Sequence, residues 1–362
     1  MRYTPEVAEN PFRPGFGRHP SLVVGRDGIL QSFHRLFEVG SGKQWATHLE
    51  AHRGAGKTVL LDAIQDLASE AGWIVVQEDA GSTQSGLIHR LTDRVLAARD
   101  ELRPAPKRRV RGAGASILGT GASVEFASPP PSATTLRDSF DSLLDLGAGG
   151  LLVTIDEIHD ASASEFKEIG NAAQHMQRDD RRFAIVLAGL PTGAERGPTF
   201  LARCDRPAIE ALDDDDVRVG IAATAVLGGV TIEDRAMLRL IVACQGNPYM
   251  LQLVGYHAYE AAREGVVHLA EVDTAIAKAT DEITDTITRR VVDDLAPRER
   301  DFLIGMLRSG RPARIADVRE HLDASSQYTN VYRTRLIKHG LIRPVGRGLV
   351  DFALPGLADL LT

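Results

Sequence analysis

Along the first 211 residues, short apolar runs alternate with segments of helical spacing, and this pattern predicts strands separated by helices. Short apolar runs, typical of buried strands, occur at Gln44–Ala51, Trp73–Glu78, Leu151–Asp156, Phe183–Gly189 and Pro207–Ala211. Between most of them lie segments with apolar residues every three or four positions, the spacing of helices. Alternating strands and helices indicate a parallel sheet with helices on both faces, so we predict an α/β core over residues 1–211.

The strand pattern ends near Leu212, and helical spacing follows. We predict four helices, at Asp214–Val226, Ile232–Cys244, Pro248–Glu264 and Leu269–Ile287. The aspartates at 213–216 lie at the start of the first helix, where carboxylates cap free N–H groups and complement the helix dipole. Residues 212–290 are therefore predicted to be all-α.

Short helices and short strands combine in the last segment, residues 291–362. The predicted helices are Arg298–Ser309, Ile315–Leu322 and a third that is capped by Ser325 or Ser326 and ends at Lys338. The predicted strands, Leu341–Val345 and Leu349–Phe352, flank a turn at Gly346–Gly348. This order predicts a winged-helix domain.

A basic and glycine-rich stretch, residues 103–132, interrupts the core. It contains Lys107-Arg108-Arg109-Val110-Arg111 and ends near three prolines at 129–131. Two interpretations remain open: an inserted hairpin whose arginines meet phosphate, and a solvated loop.

Composition adds the broad class of the protein. The chain has 362 residues, 43% of them hydrophobic, enough for two or three globular domains. Its two cysteines, Cys204 and Cys244, match no metal-binding spacing, which favours a reduced, cytoplasmic protein. No apolar segment approaches the length of a membrane span, and Met1–Pro14 lacks the apolar core of a signal peptide. We therefore expect no membrane partner.

Charge is unevenly distributed along the chain. The formal net charge of −7 argues against a nucleic-acid partner. Residues 297–362, however, carry 11 lysines and arginines against 7 aspartates and glutamates, and residues 324–350 contain no acidic residue. The C-terminal segment is thus the expected DNA-binding surface, with a protein-docking role as the alternative.

The third C-terminal helix is the candidate element for reading DNA. We expect Val331, Tyr332 and Leu336 to pack inward. The residues expected to point outward on this helix are Gln327, Asn330, Arg333 and Thr334. Polar and cationic side chains suit the major groove, and Arg347 lies at the turn between the two strands, where it would contact the DNA backbone.

The most informative motif joins the first strand to the next helix, at Ala51–Thr58. Glycines at 54 and 56 let backbone N–H groups surround a triphosphate at a helix N-terminus. Lys57 would reach the β and γ phosphates, and the Thr58 hydroxyl would ligate Mg²⁺. The pattern normally begins with glycine, and this chain has Ala51 there. The residues expected to bind nucleotide are His52, Arg53, Gly54, Ala55, Gly56, Lys57, Thr58 and Val59.

A second motif follows the buried strand at 151–156. Because ligands bind at the carboxyl ends of parallel strands, Asp156 and Glu157 should face the phosphate loop. Asp156 is then expected to hold Mg²⁺ through water, and Glu157 to polarise the attacking water. The alternative is that the acidic pair only caps a helix. His159 is interpreted as a surface or capping residue.

Together these motifs resemble the AAA+ ATPases of the initiator, or origin-recognition, clade, and equally the archaeal-type ATPases and STAND NTPases. The resemblance runs from Val24 to the C-terminus and includes Gly25-Arg26-Asp27, which matches a short box near the adenine. It implies ATP or ADP and Mg²⁺ as ligands, and it makes residues 212–290 a lid.

The resemblance also implies several individual roles. Arg203, or else Arg206, would be an arginine finger acting on the nucleotide of a neighbouring copy in a homo-oligomer. The stretch Gln245–Leu251 resembles a G-x-P motif whose proline, here Pro248, packs on the nucleotide. The fourth strand should end in a polar sensor, yet Thr192 is the only nearby candidate.

We therefore expect an ATPase that hydrolyses slowly and whose nucleotide state controls DNA binding or assembly. Its expected catalytic residues are Lys57, Glu157 and Arg203. Two alternatives are a STAND-type signalling or defence ATPase whose winged helix docks a protein, and a mobile-element ATPase that recruits a recombinase.

Overall fold

A parallel four-stranded sheet forms the centre of the first half of the protein. The structure, a computed structural model, describes residues 9–15, 18–51, 54–82, 85–102, 134–190, 200–284, 295–353 and 356–361. The strands are β1 (Ala46–Glu50), β2 (Ile74–Asp79), β3 (Leu151–Asp156) and β4 (Phe183–Gly189). They pair in the order β1-β4-β3-β2, and every pairing is parallel. The predicted parallel sheet is confirmed.

Helices cover both faces of this sheet. They are α1 (Asp27–Val39), α2 (Lys57–Glu70), α3 (Leu87–Leu102), α4 (Leu136–Leu144) and α5 (Ala163–Arg178). Alternate residues of β4 separate the two cores: Ile185 and Leu187 join the cluster with α3, α4 and α5, whereas Val186 and Ala188 join the cluster with α1 and α2. Continuous apolar strands are required because both faces are buried.

The predicted fifth strand, Pro207–Ala211, is wrong. Beside β1 the chain forms a single parallel bridge, in which Asp205 N–H donates to Ala46 O and His48 N–H donates to Asp205 O, both at 2.8 Å. The next donor in such a ladder would come from residue 207. Because proline has no N–H, Pro207 ends the pairing after one bridge.

Four helices dominate the next segment, as predicted. They are α6 (Asp214–Leu227), α7 (Asp234–Cys244), α8 (Pro248–Glu260) and α9 (Leu269–Ile283). The segment is not purely helical, because β5 (Thr231–Ile232) pairs in parallel with β6 (Val266–Val267). Asp213 caps α6 by accepting a 2.7 Å hydrogen bond from Asp216 N–H.

The C-terminal segment packs three helices against a small antiparallel sheet. Its elements are α10 (Pro297–Ser309), β7 (Ala313–Arg314), α11 (Ile315–His321), α12 (Ser326–Lys338), β8 (Ile342–Gly346) and β9 (Leu349–Phe352). The strand order is β7-β9-β8, so the sheet has one short strand more than the pattern predicted. The Ser325 hydroxyl caps α12 by accepting from Tyr328 N–H at 3.2 Å.

Some sequence expectations fall on residues outside the described ranges. These are the basic stretch 103–132, the phosphate-loop residues His52 and Arg53, and the sensor candidate Thr192. Among the residues that are described, no helix is both long and apolar enough to cross a membrane.

Candidate functional site

The phosphate loop turns between β1 and α2 with two glycines in the left-handed region. Gly54 has φ 78° and Gly56 has φ 85°, which side chains rarely adopt. Helix α2 starts directly at Lys57, so the first N–H groups of this helix have no partner within it. Lys57 is 8% exposed and its Nζ donates to Ala51 O at 2.9 Å. The loop therefore has the backbone of an anion site.

The two predicted Mg²⁺ ligands lie together. Thr58 Oγ1 donates to Asp156 Oδ2 at 2.8 Å, joining the start of α2 to the end of β3. Asp156 Oδ1 accepts from Glu157 N–H at 2.8 Å, which fixes the carboxylate. The described residues hold no cluster of three or more His, Cys, Asp or Glu side chains suited to a metal. A hydroxyl and one carboxylate fit Mg²⁺, which keeps several waters and binds substrate phosphates.

Glu157 follows at a strained turn. Its backbone has φ 48° and ψ 36°, and its side chain lines the cleft beside the phosphate loop. Glu157 Oε2 lies 3.2 Å from His159 Nδ1. The side chain of His159 is only 8% exposed, so its interpretation as a surface residue is wrong. The structure places an imidazole directly beside the predicted catalytic carboxylate.

The box before α1 is tied to the phosphate loop by Arg26. This buried arginine donates from Nη2 to Glu210 O at 2.9 Å and to Ala55 O at 3.4 Å. Burial lowers the pKa of the guanidinium, while Asp216 and Glu210 oppose that shift. Because these bonds join three separate segments, Arg26 fixes the position of the loop relative to the segment that precedes α6.

Helix α8 reaches the loop from the other side. A methyl group on Gly56 would lie 3.6 Å from Pro248 Cγ, and one on Gly54 would lie 3.3 Å from Asn247 Nδ2. The side chain of Asn247 also caps α8, accepting from Tyr249 N–H at 2.9 Å and Met250 N–H at 3.1 Å. Pro248 was predicted near the nucleotide, whereas Asn247 was missed. An asparagine directly before a proline is the available signal, since that pair favours a helix start.

An N-terminal segment, residues 9–15 and 18–24, completes the cleft and was not predicted. Phe12 is 2% exposed and packs so closely on α8 that a methyl group on Gly255 would lie 2.2 Å from its ring. Arg13, Arg18 and Leu22 line a cleft of about 400 Å³ together with the phosphate loop and Pro248. This segment has no helical or strand periodicity, so no sequence pattern indicates where it lies.

A second cavity of about 360 Å³ lies where the three parts of the protein meet. Ala55, Asn247 and Pro248 line this cavity and also the cleft beside the phosphate loop. Its C-terminal wall includes Arg311 and Arg343. The phosphate loop and α8 therefore separate the cleft from the C-terminal segment.

The two candidate arginine fingers differ in their surroundings. Arg206 lies 3.3 Å from Glu50 Oε2 and donates to Leu201 O at 3.1 Å. Arg203 is exposed, makes no ion pair with any residue that the structure describes, and is not among the residues that line the cleft of its own subunit. Arg206 is thus held within the chain, whereas Arg203 is available to a neighbour.

Helix α12 does not present the face that was predicted. Gln327, Asn330 and Thr334 are exposed as expected, but Val331, predicted to pack inward, is 45% exposed. Arg333, predicted to point outward, is half-buried and its Nε is buried without a hydrogen bond. The reason is Thr329, which packs inward because its hydroxyl donates to Ser325 O at 3.0 Å.

The exposed face of α12 instead includes two side chains that were not predicted. Tyr328 is 41% exposed and contacts Tyr332 edge-on, with 4.9 Å between ring centroids. The guanidinium of Arg335 lies over the ring of Tyr332 at 5.7 Å. At the turn between β8 and β9, Arg347 is exposed as expected.

In a comparison with known protein families, residues 22–186 match the family described as AAA ATPase domain. This match supports a P-loop ATPase of the AAA+ type. Residues 285–361 match a family described only as Domain of unknown function (DUF8462). No curated protein matches the chain significantly.

Among solved structures, this chain is similar to a Walker-type ATPase of Pyrococcus abyssi. The TM-score is 0.69 at 16% identity, over 96% of this chain and 98% of that one. The match shows that the two proteins share a fold. Cdc6p from Pyrobaculum aerophilum gives a TM-score of 0.48 at 14% identity, covering 96% of this chain and 94% of that one. RuvB of Thermotoga maritima gives 0.47 at 16% identity, covering 93% and 95%.

Proposed function

We propose that the protein is an ATP-driven switch that hydrolyses ATP slowly and whose nucleotide state controls DNA binding by the C-terminal segment. The observation that carries this proposal is the shared wall between the two cavities. Ala55, Asn247 and Pro248 face the nucleotide cleft and also the cavity that ends at Arg311 and Arg343. A change in the cleft therefore has a short physical route to the C-terminal segment.

The cleft residues support phosphoryl transfer to water. The loop amides and Lys57 would bind the β and γ phosphates, and Thr58 and Asp156 would hold Mg²⁺, which supplies charge neutralisation. Glu157 would accept a proton from the attacking water. The water oxygen then bonds to the γ phosphorus, and the bond between that phosphorus and the β–γ bridging oxygen breaks. ADP and inorganic phosphate are the products.

Loss of the γ phosphate removes a ligand that Lys57 and the loop amides hold in the ATP state. Asn247 packs on Gly54 and begins α8, so movement of the loop changes the support of that helix. A ligand shifts a conformational equilibrium only by its difference in affinity for the two states. The γ phosphate is the group that differs between ATP and ADP.

The C-terminal segment supports the DNA part of the proposal as a winged helix. Helix α12 offers exposed amides at Gln327 and Asn330 and a cation at Arg335, and these groups suit base edges. Arg347, exposed at the strand turn, suits the phosphate backbone. Arg343 is half-buried at the second cavity and is not part of this surface.

A protein partner is the second candidate. It is favoured by the exposed Tyr328 and Val331, 41% and 45% accessible, because tyrosine is enriched at protein interfaces. The net charge of −7 also favours it. In that case the nucleotide state would control docking of a protein on α12.

The proposal is tested by measuring binding to duplex DNA at about 100 mM salt without nucleotide, with ATP and with ADP. Lys57→Ala should lose tight ATP binding and show one DNA affinity in all three conditions. Glu157→Gln should bind ATP, hydrolyse it about 10²- to 10⁴-fold more slowly, and keep the ATP-state DNA affinity throughout. The proposed function would be contradicted if the unchanged protein has the same DNA affinity with and without nucleotide, or if it does not bind DNA at all.

A further inference from the structure

His159 lies between the predicted catalytic carboxylate and the end of β4. Its Nδ1 is 3.2 Å from Glu157 Oε2 and also 3.4 Å from Leu190 N, the first residue after β4. Its Nε2 lies 3.9 Å from Asp160 Oδ1, beyond hydrogen-bond distance. The imidazole therefore connects the end of β3 to the end of β4 at the nucleotide cleft.

The end of β4 packs against the two residues Ile158 and His159. Gly189 is the last residue of β4, and a methyl group there would lie 2.9 Å from Ile158 Cγ2 and 3.5 Å from His159 Nδ1. The close neighbour of this position is therefore Ile158, and the imidazole lies at an ordinary contact distance. A polar residue was expected near this strand end, and the structure instead has a glycine against which Ile158 and His159 pack.

Glu157 depends on this neighbour. Its Oε2 is buried and accepts no hydrogen bond from any residue in the described part of the chain, although the side chain as a whole is 39% exposed. A buried carboxylate oxygen without a donor is costly. His159 Nδ1 is placed to donate to it, which leaves the rest of the carboxylate facing the cleft.

One imidazole nitrogen cannot serve both neighbours at once. To donate to Glu157, Nδ1 must carry a proton; to accept from Leu190 N–H, it must not. The ring thus has two exclusive arrangements, one that holds Glu157 and one that holds the end of β4. Chain movement at Leu190 would change which arrangement is favoured.

We propose that His159 is a positioning residue that orients the Glu157 carboxylate toward the attacking water and links that orientation to the end of β4. This inference rests on the proposed function, because it assigns Glu157 to ATP hydrolysis. His159 would not touch ATP or water. Its effect would appear in turnover and not in nucleotide affinity.

Substitutions that replace one ring nitrogen at a time test the proposal. The amide of asparagine reaches the place of Nδ1 and can both donate and accept, whereas the amide of glutamine extends toward the place of Nε2. We expect His159→Ala to reduce kcat by about 10- to 100-fold, the effect of a misplaced catalytic group, and to leave the Kd for ATP within about twofold. His159→Asn should restore most of kcat, and His159→Gln should not.

A double-mutant cycle with Glu157→Gln separates positioning from independent action. If His159 acts through Glu157, adding His159→Ala to Glu157→Gln should change kcat by less than about twofold. His89→Ala, at an exposed histidine on α3, is the matched control and should leave kcat unchanged. Thermal unfolding of each variant checks its folding, and the asparagine and glutamine variants serve if the alanine variant is unstable.

The outcomes distinguish the two proposals. If the unchanged protein does not hydrolyse ATP with Mg²⁺, the proposed function fails. If it hydrolyses ATP and His159→Ala is equally fast, or if the effects of His159→Ala and Glu157→Gln multiply fully, the positioning role is overturned. A raised Kd for ATP with unchanged kcat would also overturn it, because His159 would then support nucleotide binding.

Discussion

At the scale of single residues, burial affects the protonation of a side chain as much as neighbouring charges do. His48, on β1, is 0% exposed, and neither of its ring nitrogens makes a hydrogen bond with the residues that the structure describes. Burial lowers the pKa of His48 to about 4, and the nearby cation of Arg206 adds to this effect. The folded protein therefore holds this histidine neutral at a pH at which an unfolded chain would protonate it.

Stability should depend on pH through His48. An unfolded histidine has a pKa near 6.5, so the unfolded state binds more protons between about pH 6.5 and pH 4. The contribution is therefore fully present above about pH 6.5 and is lost as the pH falls to about 4, by up to roughly 3 kcal/mol. Urea unfolding of the unchanged protein and His48→Leu at several pH values measures it.

The comparison with His48→Leu isolates this group from carboxylates that titrate in the same range. The leucine variant should show a shallower loss of stability between pH 6.5 and 4. His339→Leu, at an exposed histidine after α12, is the control and should keep the full dependence. Equal pH dependence in all three proteins would mean that His48 is not buried and neutral in solution.

At the scale of elements, apolar runs predicted the fold well where both sides of a strand are buried. β3 and β4 begin and end where the pattern places them. The apolar pattern failed where a single hydrogen bond decides the local structure. Pro207 has no N–H to donate, so the predicted fifth strand does not form. Thr329 donates its hydroxyl hydrogen to Ser325 O and packs inward, so the buried face of α12 differs from the predicted one. The N-terminal part of the cleft was missed because its chain is irregular.

The residues of the candidate site also fall into two groups, those that the sequence could predict and those that it could not. The positions of Lys57, Thr58 and Asp156 could be predicted because the phosphate-loop pattern and the strand end determine them locally. His159 and Asn247 could not, because their importance depends on contacts with Glu157 and Gly54 that only the packing of β3, β4 and α8 creates. Sequence spacing contains no information on those distances.

The exposed face of α12 leads to a prediction about DNA. Arg347→Ala should weaken binding to all sequences alike and reduce the slope of log K against log salt by about one, because one phosphate contact is lost. Arg335→Ala should cost about 1–3 kcal/mol at one base position, because its guanidinium is exposed on the helix. Fluorescence anisotropy with a panel of duplexes at several salt concentrations measures both effects.

Arg333 is the internal comparison for that experiment. Because its Nε is buried, Arg333→Ala should lower the stability of the C-terminal segment without changing base preference. The opposite result, a change of base preference from Arg333 and none from Arg335, would show that the original prediction of the outward face was correct for the DNA-bound protein.

At the scale of the whole molecule, the two candidate arginine fingers differ in whether they can reach a neighbouring subunit. Arg206 is held by Glu50 and Leu201 within its own chain, whereas exposed Arg203 makes no ion pair in the described residues and lies outside its own cleft. An arginine supplied by a neighbouring subunit stabilises charge at the γ phosphate during hydrolysis. We therefore expect the active form to be a homo-oligomer in which Arg203 acts on the next subunit.

Mixing two inactive variants tests that arrangement. Arg203→Ala should bind ATP normally and lose turnover by about 10³-fold or more, because its own Glu157 remains but no finger reaches it. Glu157→Gln retains the finger but not the base.

In a mixture, an Arg203→Ala subunit beside a Glu157→Gln subunit has its own Glu157 and its neighbour's Arg203. Activity should therefore partly return and should rise with protein concentration. Arg206→Ala is the control: its ion pair with Glu50 lies within one chain and both Arg203 and Glu157 are kept, so this variant should retain turnover on its own, without mixing. Turnover that is unchanged in Arg203→Ala, or independent of protein concentration in a monomeric protein, would place every catalytic group in one chain.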